Sequence, residues 1–341
     1  MGTPVIDAAS DLRGLLRTST ATADEQWRRW ADRLMEPGVL SPQLLAEFWR
    51  EIRDFDDVLA GYIENPLAVP ERTVIVAGSG KETFKTFNVS TAASILAVSA
   101  GARVVKGVSR SVSAVSGAAD VLSALGIRPV AAPREVPQAV HEQGVAFVSY
   151  AAFCPGYAGR YDSVFPRLSP FSFFMPVAVV GVLADGFLHG LAHPDVALSR
   201  TAIGHARPEL RAGTVVSTML ETGETMDERA PFGTNLTACL QMCEGRCYRQ
   251  VAASPPSGWR RSVAQRGSHR ANAAALADSL APRGSRHRTG LVEINAAVIL
   301  QLGQPRLTAP EALGVVKQAR LSGAAGRLLS QLRHEISRAS R

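Results

Sequence analysis

The chain has 341 residues, 46% of them hydrophobic, enough to bury a sizeable core in one or two domains. It has no apolar run of membrane-spanning length and no charged-then-apolar leader. Its four cysteines lack disulfide-like spacing, so a cytoplasmic protein is expected. The net charge of +7 suits a polyanionic partner, either a phosphorylated small molecule or nucleic acid.

Residues 1 to 22 are polar and rich in Ala and Thr, and read as loosely ordered. Helical patterns follow from Asp24 to Met35 and from Ser41 to Ile63, the second opened by Ser41-Pro42 as cap and first turn. Trp27, Trp30, Leu34, Leu45, Phe48, Trp49 and Ile52 recur at three- and four-residue steps and predict a packed stripe. Pro66 and Pro70 punctuate the passage into a sheet.

Residues 74 to 127 form the most informative stretch. Val74-Ile75-Val76-Ala77 predicts a buried strand, and Gly78-Ser79-Gly80 a turn where a ligand can approach the backbone. Asn88-Val89-Ser90-Thr91 leads into an apolar helix from Ala92 to Ala100, and capping residues at a helix start favour an anion. A second strand, Ala102 to Val105, runs into Lys106. A serine-rich loop, Ser109-Arg110-Ser111-Val112-Ser113, and a helix from Gly117 to Leu125 complete the unit. Three of the chain's four lysines, Lys81, Lys85 and Lys106, fall in these two loops, which predicts one phosphate site built from both. It is not a Walker loop, because no Gly-Lys-Ser/Thr closes it, and the dinucleotide fingerprint GxGxxG is incomplete.

Residues 150 to 176 hold five of the twelve Phe and three of the five Tyr among Pro and Gly. This is poor helix material that fits either a pocket for a flat apolar molecule or an aromatic packing loop. Strands are expected at Val145–Val148, at Phe187–Leu191 and at Val215–Leu220. His189 and His193 lie on a strand and a turn, which disfavours a metal pair. Cys239, Cys243 and Cys247 fit two strands around a Glu244-Gly245 turn better than a helix, with the thiols as small core residues. Residues 254 to 287 are rich in Arg, Ser and Pro around one short helix, Ala271 to Leu280, and read as a surface segment. Leu291–Leu302 predicts an apolar helix, and Thr308 with Glu311 a capping box opening the last one.

The segments GSGKE, KTFNVST and KGVSRSVSAVSGAADVLSALG closely resemble the GTGGD, NTFNIST and KHGNRSVSS-SGSAD-L-ALG patterns of the anthranilate phosphoribosyltransferase family, within glycosyltransferase family 3. The likeness continues through His193-Pro194-Asp195, Asp227-Glu228 before Pro231-x-Gly233, and Gly323-Ala324-Ala325 to the C-terminus. The resemblance implies a small N-terminal helical domain (1–68, completed by part of 150–180) that also forms a dimer interface. Joined to it is an α/β domain (69–341) with a central, mostly parallel sheet. It implies a magnesium-dependent pentosyltransferase that moves phosphoribosyl from phosphoribosyl diphosphate (PRPP) to an aromatic nitrogen. Pyrophosphate would lie on Gly78, Ser79, Gly80, Lys81 and Glu82. The rest of PRPP would meet Thr86, Asn88, Val89, Ser90, Thr91, Lys106, Ser111 and Ser113. Lys106 and Arg110 would serve catalysis, Gly78, Ser109 and Arg167 the acceptor, and Ser90, Asp227 and Glu228 one or two Mg²⁺ ions.

Departures from the pattern fall mainly on the acceptor side. The last glycine of GTGGD is Lys81 and its Asp is Glu82. The family's His-Gly-Asn is Gly107-Val108-Ser109, and a family serine is Ala118. Of the family's paired arginines, one of which grips the acceptor carboxylate, only Arg167 has a counterpart. The expected acceptor is therefore anthranilate or, in preference, a related and more apolar aromatic of specialised metabolism. The alternatives are a non-catalytic nucleic-acid-binding relative, suggested by the Arg-rich stretch 259 to 288, and a nucleoside phosphorylase of the same fold.

Overall fold

The computed structural model describes residues 8–18, 21–111, 114–161, 164–240, 247–251 and 253–339. Four helices open the chain: α1 (Ala8–Arg17), α2 (Ala21–Leu34), α3 (Pro42–Phe55) and α4 (Asp57–Glu64). Helix α1 corrects the expectation of a loose start. Ala8, Leu12 and Leu16 recur every four residues, are buried, and face α3. The helix expected from Ser41 to Ile63 breaks at Asp56, whose carboxylate accepts from the Leu59 and Tyr157 N–H groups at 3.0 and 2.8 Å. One side chain thus caps α4 and also the later helix α8 (Pro155–Tyr161).

The strands are β1 (Leu67–Ala68), β2 (Thr73–Gly78), β3 (Arg103–Val108), β4 (Val145–Ser149), β5 (Val182–Leu183), β6 (Gly186–Gly190), β7 (Ala212–Met219), β8 (Thr225–Met226), β9 (Thr234–Leu240) and β10 (Cys247–Val251). The main sheet has the order β10-β9-β7-β6-β2-β3-β4, with β8 paired to β7 and a separate parallel pair β1–β5. From β7 to β4 every pairing is parallel, while β8, β9 and β10 join antiparallel. The expected central, mostly parallel sheet is present.

The other helices are α5 (Val89–Ser99), α6 (Ala118–Leu125), α7 (Val136–Gln143), α9 (Met175–Ala178), α10 (Val196–Ala206), α11 (Trp259–Val263), α12 (His269–Leu280), α13 (Arg286–Gly303), α14 (Ala309–Leu321) and α15 (Ala324–Ala339). The capping box of Thr308 and Glu311 opens α14 as expected. Both sheet faces are covered, which explains why β2 is apolar throughout. Ile75 and Ala77 join a core with the N-terminal helices and residues 153–184, whereas Val74 and Val76 join one with α5 and α13.

Residues 150–176 are more helical than their composition suggests, forming α8, a 3-10 turn at Pro170–Phe173 and α9. Phe171 stacks on Trp30 at 5.8 Å and stands edge-on to Tyr161 at 5.6 Å, so part of this segment is packing. The Arg-rich stretch is also more ordered than expected. Its Trp259 is buried, stacked on Phe84 at 6.2 Å and edge-on to Phe232 at 5.6 Å. In the β9–β10 ladder Cys247 faces Ala238, whereas a Glu244-Gly245 turn would set it opposite Met242. That turn and Cys243 lie outside the described residues. Cys239 and Cys247 fall on opposite sheet faces, and Cys247 is exposed, which corrects the reading of it as a core thiol. No helix among the described residues is long and apolar enough to cross a membrane.

Candidate functional site

The carboxyl ends of β2, β3, β4 and β6 meet at one end of the sheet, where open α/β folds bind ligands. Beyond β2 the backbone turns at Ser79-Gly80. Ser79 N–H donates to the Gly190 carbonyl at 2.8 Å, and Ser79 Oγ accepts from Ala192 N–H at 3.2 Å. Thr83 and Phe84 N–H both donate to the Thr225 carbonyl at 3.1 Å. The glycine loop is thereby stitched to β6 and β8.

Asp227 and Glu228 leave β8 directly into this corner. Asp227 Oδ2 accepts from Gly80 N–H at 3.1 Å, and Thr86 Oγ1 donates to Glu228 Oε1 at 3.0 Å. A Cβ at Gly190 would lie 2.0 Å from the Asp227 carbonyl oxygen, so only glycine lets this loop approach β6.

Lys106 is not a loop residue. It sits within β3, 3% exposed, and its ammonium donates to the Gly107 carbonyl at 2.9 Å. Burial lowers its pKa to about 8 against the opposing pull of Asp227 and Glu228. Burial and then Asp227 push Glu82 up to about 8. Burial, then Asp227 and Glu82, push Glu228 well above the usual carboxylate range. Lys85 stands 3.7 Å from Glu82 Oε2. Glu82 Oε2 and Glu228 Oε2 are buried without a hydrogen-bond partner. Crowded, unpaired, hard oxygens fit a divalent cation that neutralises them. No group of three or more His, Cys, Asp or Glu among the described residues forms a cage. Mg²⁺ needs none, since it takes one or two carboxylates plus water and phosphate oxygens.

Asn88 precedes α5 in the left-handed region at φ 68°. The helix begins at Val89, three residues before the expected Ala92. The Asn88 side chain does not cap it, and its Oδ1 is buried without a partner. An uncapped N-terminus keeps its N–H groups for an anion. Asn88 and Ser90 line the cavity. The side chains of Val89 and Thr91 are instead wholly buried, so at this helix start they have only backbone groups to offer a ligand.

The second loop is held by Asp120, whose Oδ2 accepts from Ser111 and Gly117 N–H at 3.0 and 2.9 Å. A Cβ at Gly117 would meet Ser111 N at 2.5 Å. Ser109, Arg110 and Ser111 line the cavity, and Ser113 lies outside the described residues. Gln265 was missed by sequence reasoning. Its side chain accepts from Val115 N–H and donates to the Ser116 carbonyl, at 2.9 and 3.2 Å. Its own N–H donates to Lys85 O at 2.9 Å, joining the two loops. A lone glutamine in an arginine-rich run carries no signal for this.

The cavity measures about 490 Å³. Its remaining wall is Tyr150, Tyr157, Tyr161, Phe165, Met175 and Pro176. Arg167, expected at the acceptor, is exposed and does not line the cavity, whereas Phe165 does. Lys81 lines the cavity and donates to the Phe165 carbonyl at 2.7 Å. His189 is fully buried, contacts the Ser172 carbonyl at 3.0 Å, and has its pKa lowered to about 4 by burial. His193 Nδ1 accepts from Asp195 N–H at 3.1 Å, so the two histidines have separate structural partners.

Fold and cavity together define an α/β protein with a charged cavity at the carboxyl ends of its parallel strands. Residues 71–164 match the glycosyl transferase family a/b domain. "Anthranilate phosphoribosyltransferase 1" of Ralstonia nicotianae is 33% identical over 139 residues, 39% of each chain. The chain therefore spans well under half of that relative. Anthranilate phosphoribosyltransferase of a Synechococcus species is 29% identical over 273 residues, 77% of this chain and 74% of that one. The solved enzyme of Thermus thermophilus superposes with a TM-score of 0.75 at 21% identity, covering 96% of this chain and 93% of that one. The Saccharomyces cerevisiae enzyme in complex with PRPP and Mg gives 0.72 at 18%, covering 97% and 93%. Residues 71–164 thus carry the glycosyl transferase a/b domain, and the chain as a whole has the fold of the solved anthranilate phosphoribosyltransferases it superposes on.

Proposed function

We propose that the protein is a magnesium-dependent phosphoribosyltransferase that moves the 5-phosphoribosyl group of PRPP to the nitrogen of an aromatic acceptor. The observation that carries this is the charged corner: Asp227 and Glu228 bonded to the Gly80 N–H and Thr86, beside buried Lys106 and the uncapped start of α5. The relatives named above, and the yeast structure with PRPP and Mg, support the same reading.

Ser90, Asp227 and Glu228 would hold magnesium, with Glu82 adjacent. When bound, the ion supplies positive charge that offsets the carboxylates and pyrophosphate. Gly78 to Glu82 would receive pyrophosphate, with the Lys81 and Lys85 ammonium groups at that loop. The α5 N-terminus with Asn88 and Ser90, together with Lys106 and Ser111, would hold the ribose phosphate. With a pKa of about 8, Lys106 would carry its proton on Nζ at neutral pH and meet that phosphate as a cation. In transfer the bond from ribose C1 to the pyrophosphate oxygen breaks, and its electron pair leaves on pyrophosphate. The acceptor lone pair closes the new C1–N bond, and the nitrogen's proton passes to the released pyrophosphate. Preorganised charge and positioning do most of the work, and no strong base is required.

The same reading carries a cytoplasmic homodimer, with the N-terminal helices as interface. Two arginines of the basic stretch are engaged internally. Arg260 pairs with Glu224 and lies 4.7 Å over the Phe84 ring, and Arg288 pairs with Asp278 at 2.9 Å, which weighs against the nucleic-acid reading. Calorimetric titration of PRPP with and without Mg²⁺ tests the proposal. Magnesium-dependent binding lost in Asp227→Ala/Glu228→Ala is expected, and absence of PRPP binding would overturn it.

A further inference from the structure

Among the described residues, the cavity has charges on one side only. Every ionisable acid or base lining it, Lys81, Glu82, Lys106, Arg110, Asp227 and Glu228, comes from the strand ends and loops of β2, β3 and β8. The described residues among 149–176 contribute Ser149, Tyr150, Tyr157, Tyr161, Phe165, Met175 and Pro176, none of which carries charge at neutral pH. Tyr157 and Tyr161 stack at 5.0 Å with an interplanar angle of 20°, and Tyr161 and Phe165 lie 5.1 Å apart. The cation placed against this wall, Lys81, donates to the Phe165 carbonyl, and Arg167 is exposed outside the cavity. The Tyr157 side chain is wholly buried, lines the cavity, and its hydroxyl has no hydrogen-bond partner. Buried hydroxyls are paired as a rule, so an unpaired one on a ligand cavity points to a group supplied by the ligand. A carboxylate set against these rings would lose water, and the cation at this wall, Lys81, already donates to the Phe165 carbonyl.

Resting on the phosphoribosyltransferase reading, we infer that the acceptor is an uncharged planar aromatic amine, held on the tyrosine wall and oriented by a hydrogen bond between its neutral polar substituent and the Tyr157 hydroxyl. The wall excludes acceptors that carry a carboxylate.

The test compares anthranilate with 2-aminobenzamide, which replaces the carboxylate by an amide of similar shape. PRPP with Mg²⁺ is titrated first, into wild type and Tyr157→Phe. Each acceptor is then titrated calorimetrically into the protein saturated with PRPP and Mg²⁺. The amide is expected to bind at least about tenfold more tightly than anthranilate. Tyr157→Phe is expected to weaken the amide about tenfold and to leave PRPP affinity unchanged. If PRPP binds but anthranilate matches or exceeds the amide, or neither acceptor binds, the inference fails and the transferase reading stands. If PRPP does not bind, both fall together. An amide preference that survives intact in Tyr157→Phe removes the hydroxyl's role.

Discussion

Along β2, β3 and β8 the cavity is walled by short loops whose backbone groups bond to one another and to buried carboxylates. Along residues 149–176 it is walled by rings carried on short helical turns, with their backs against Trp27 and Phe171. The first wall is shaped by main chain and charge, the second by side-chain volume. A change on the first side disturbs geometry that several elements share. On the second it exchanges one surface for another.

The comparison breaks most sharply at Glu228. Glu228→Gln keeps the shape but removes charge, and turnover should fall about 10²–10³-fold. The same change should raise the melting temperature by about 2 °C or more, because a dry carboxyl beside Asp227 destabilises the fold. Turnover and thermal unfolding measured on one preparation check both directions. His189 lies at the seam between the walls, paired in register with Ala77 and touching Ser172. Its pKa is about 4 folded against 6.5 unfolded, so the unfolded chain takes up the proton first. Stability from this group is complete above pH 6.5 and declines as pH falls toward 4, by about 3 kcal/mol in all. Urea unfolding at pH 7 and pH 4.5 should show the decline, and His189→Gln should flatten it.

Gly190→Ala sharpens the contrast without touching charge. The added methyl meets the Asp227 carbonyl, and the unfolding free energy should drop by about 2 kcal/mol, read as a lower urea midpoint with an unchanged slope. The smallest effect belongs to Arg167→Ala. Its exposed side chain lines no part of the cavity, so acceptor binding should change by no more than about twofold in a calorimetric comparison with wild type.

The charged wall was legible because its signals are local. Gly78-Ser79-Gly80, Asn88 to Thr91 and Asp227-Glu228 each depend on neighbours a few residues away. Lys106 was misplaced in a loop because a lysine ends an apolar run on paper. In the fold, carboxylates from residues 227 and 228 let it stay inside the strand. The acceptor wall was harder to read. The register of Arg167 depends on helical turns that Pro155 and Pro170 initiate in a segment rich in helix breakers. Trp259 and Gln265 are fixed by partners such as Phe84 and Ser116, more than a hundred residues earlier, which no local pattern reports. Helix α1 shows the reverse case: its four-residue spacing was present but hidden in an Ala-rich, polar composition.

The close approach at Gly190 also bears on how such a chain varies over generations. While the Asp227 carbonyl keeps its position, no side chain fits at 190, whichever residue stands at 227, so that glycine is fixed by the path of the main chain. Tyr150, Tyr157 and Tyr161 carry no comparable backbone lock, and a single codon change there trades one ring for another. A lineage can therefore move between acceptors by small inherited steps, while the charged corner is passed on whole.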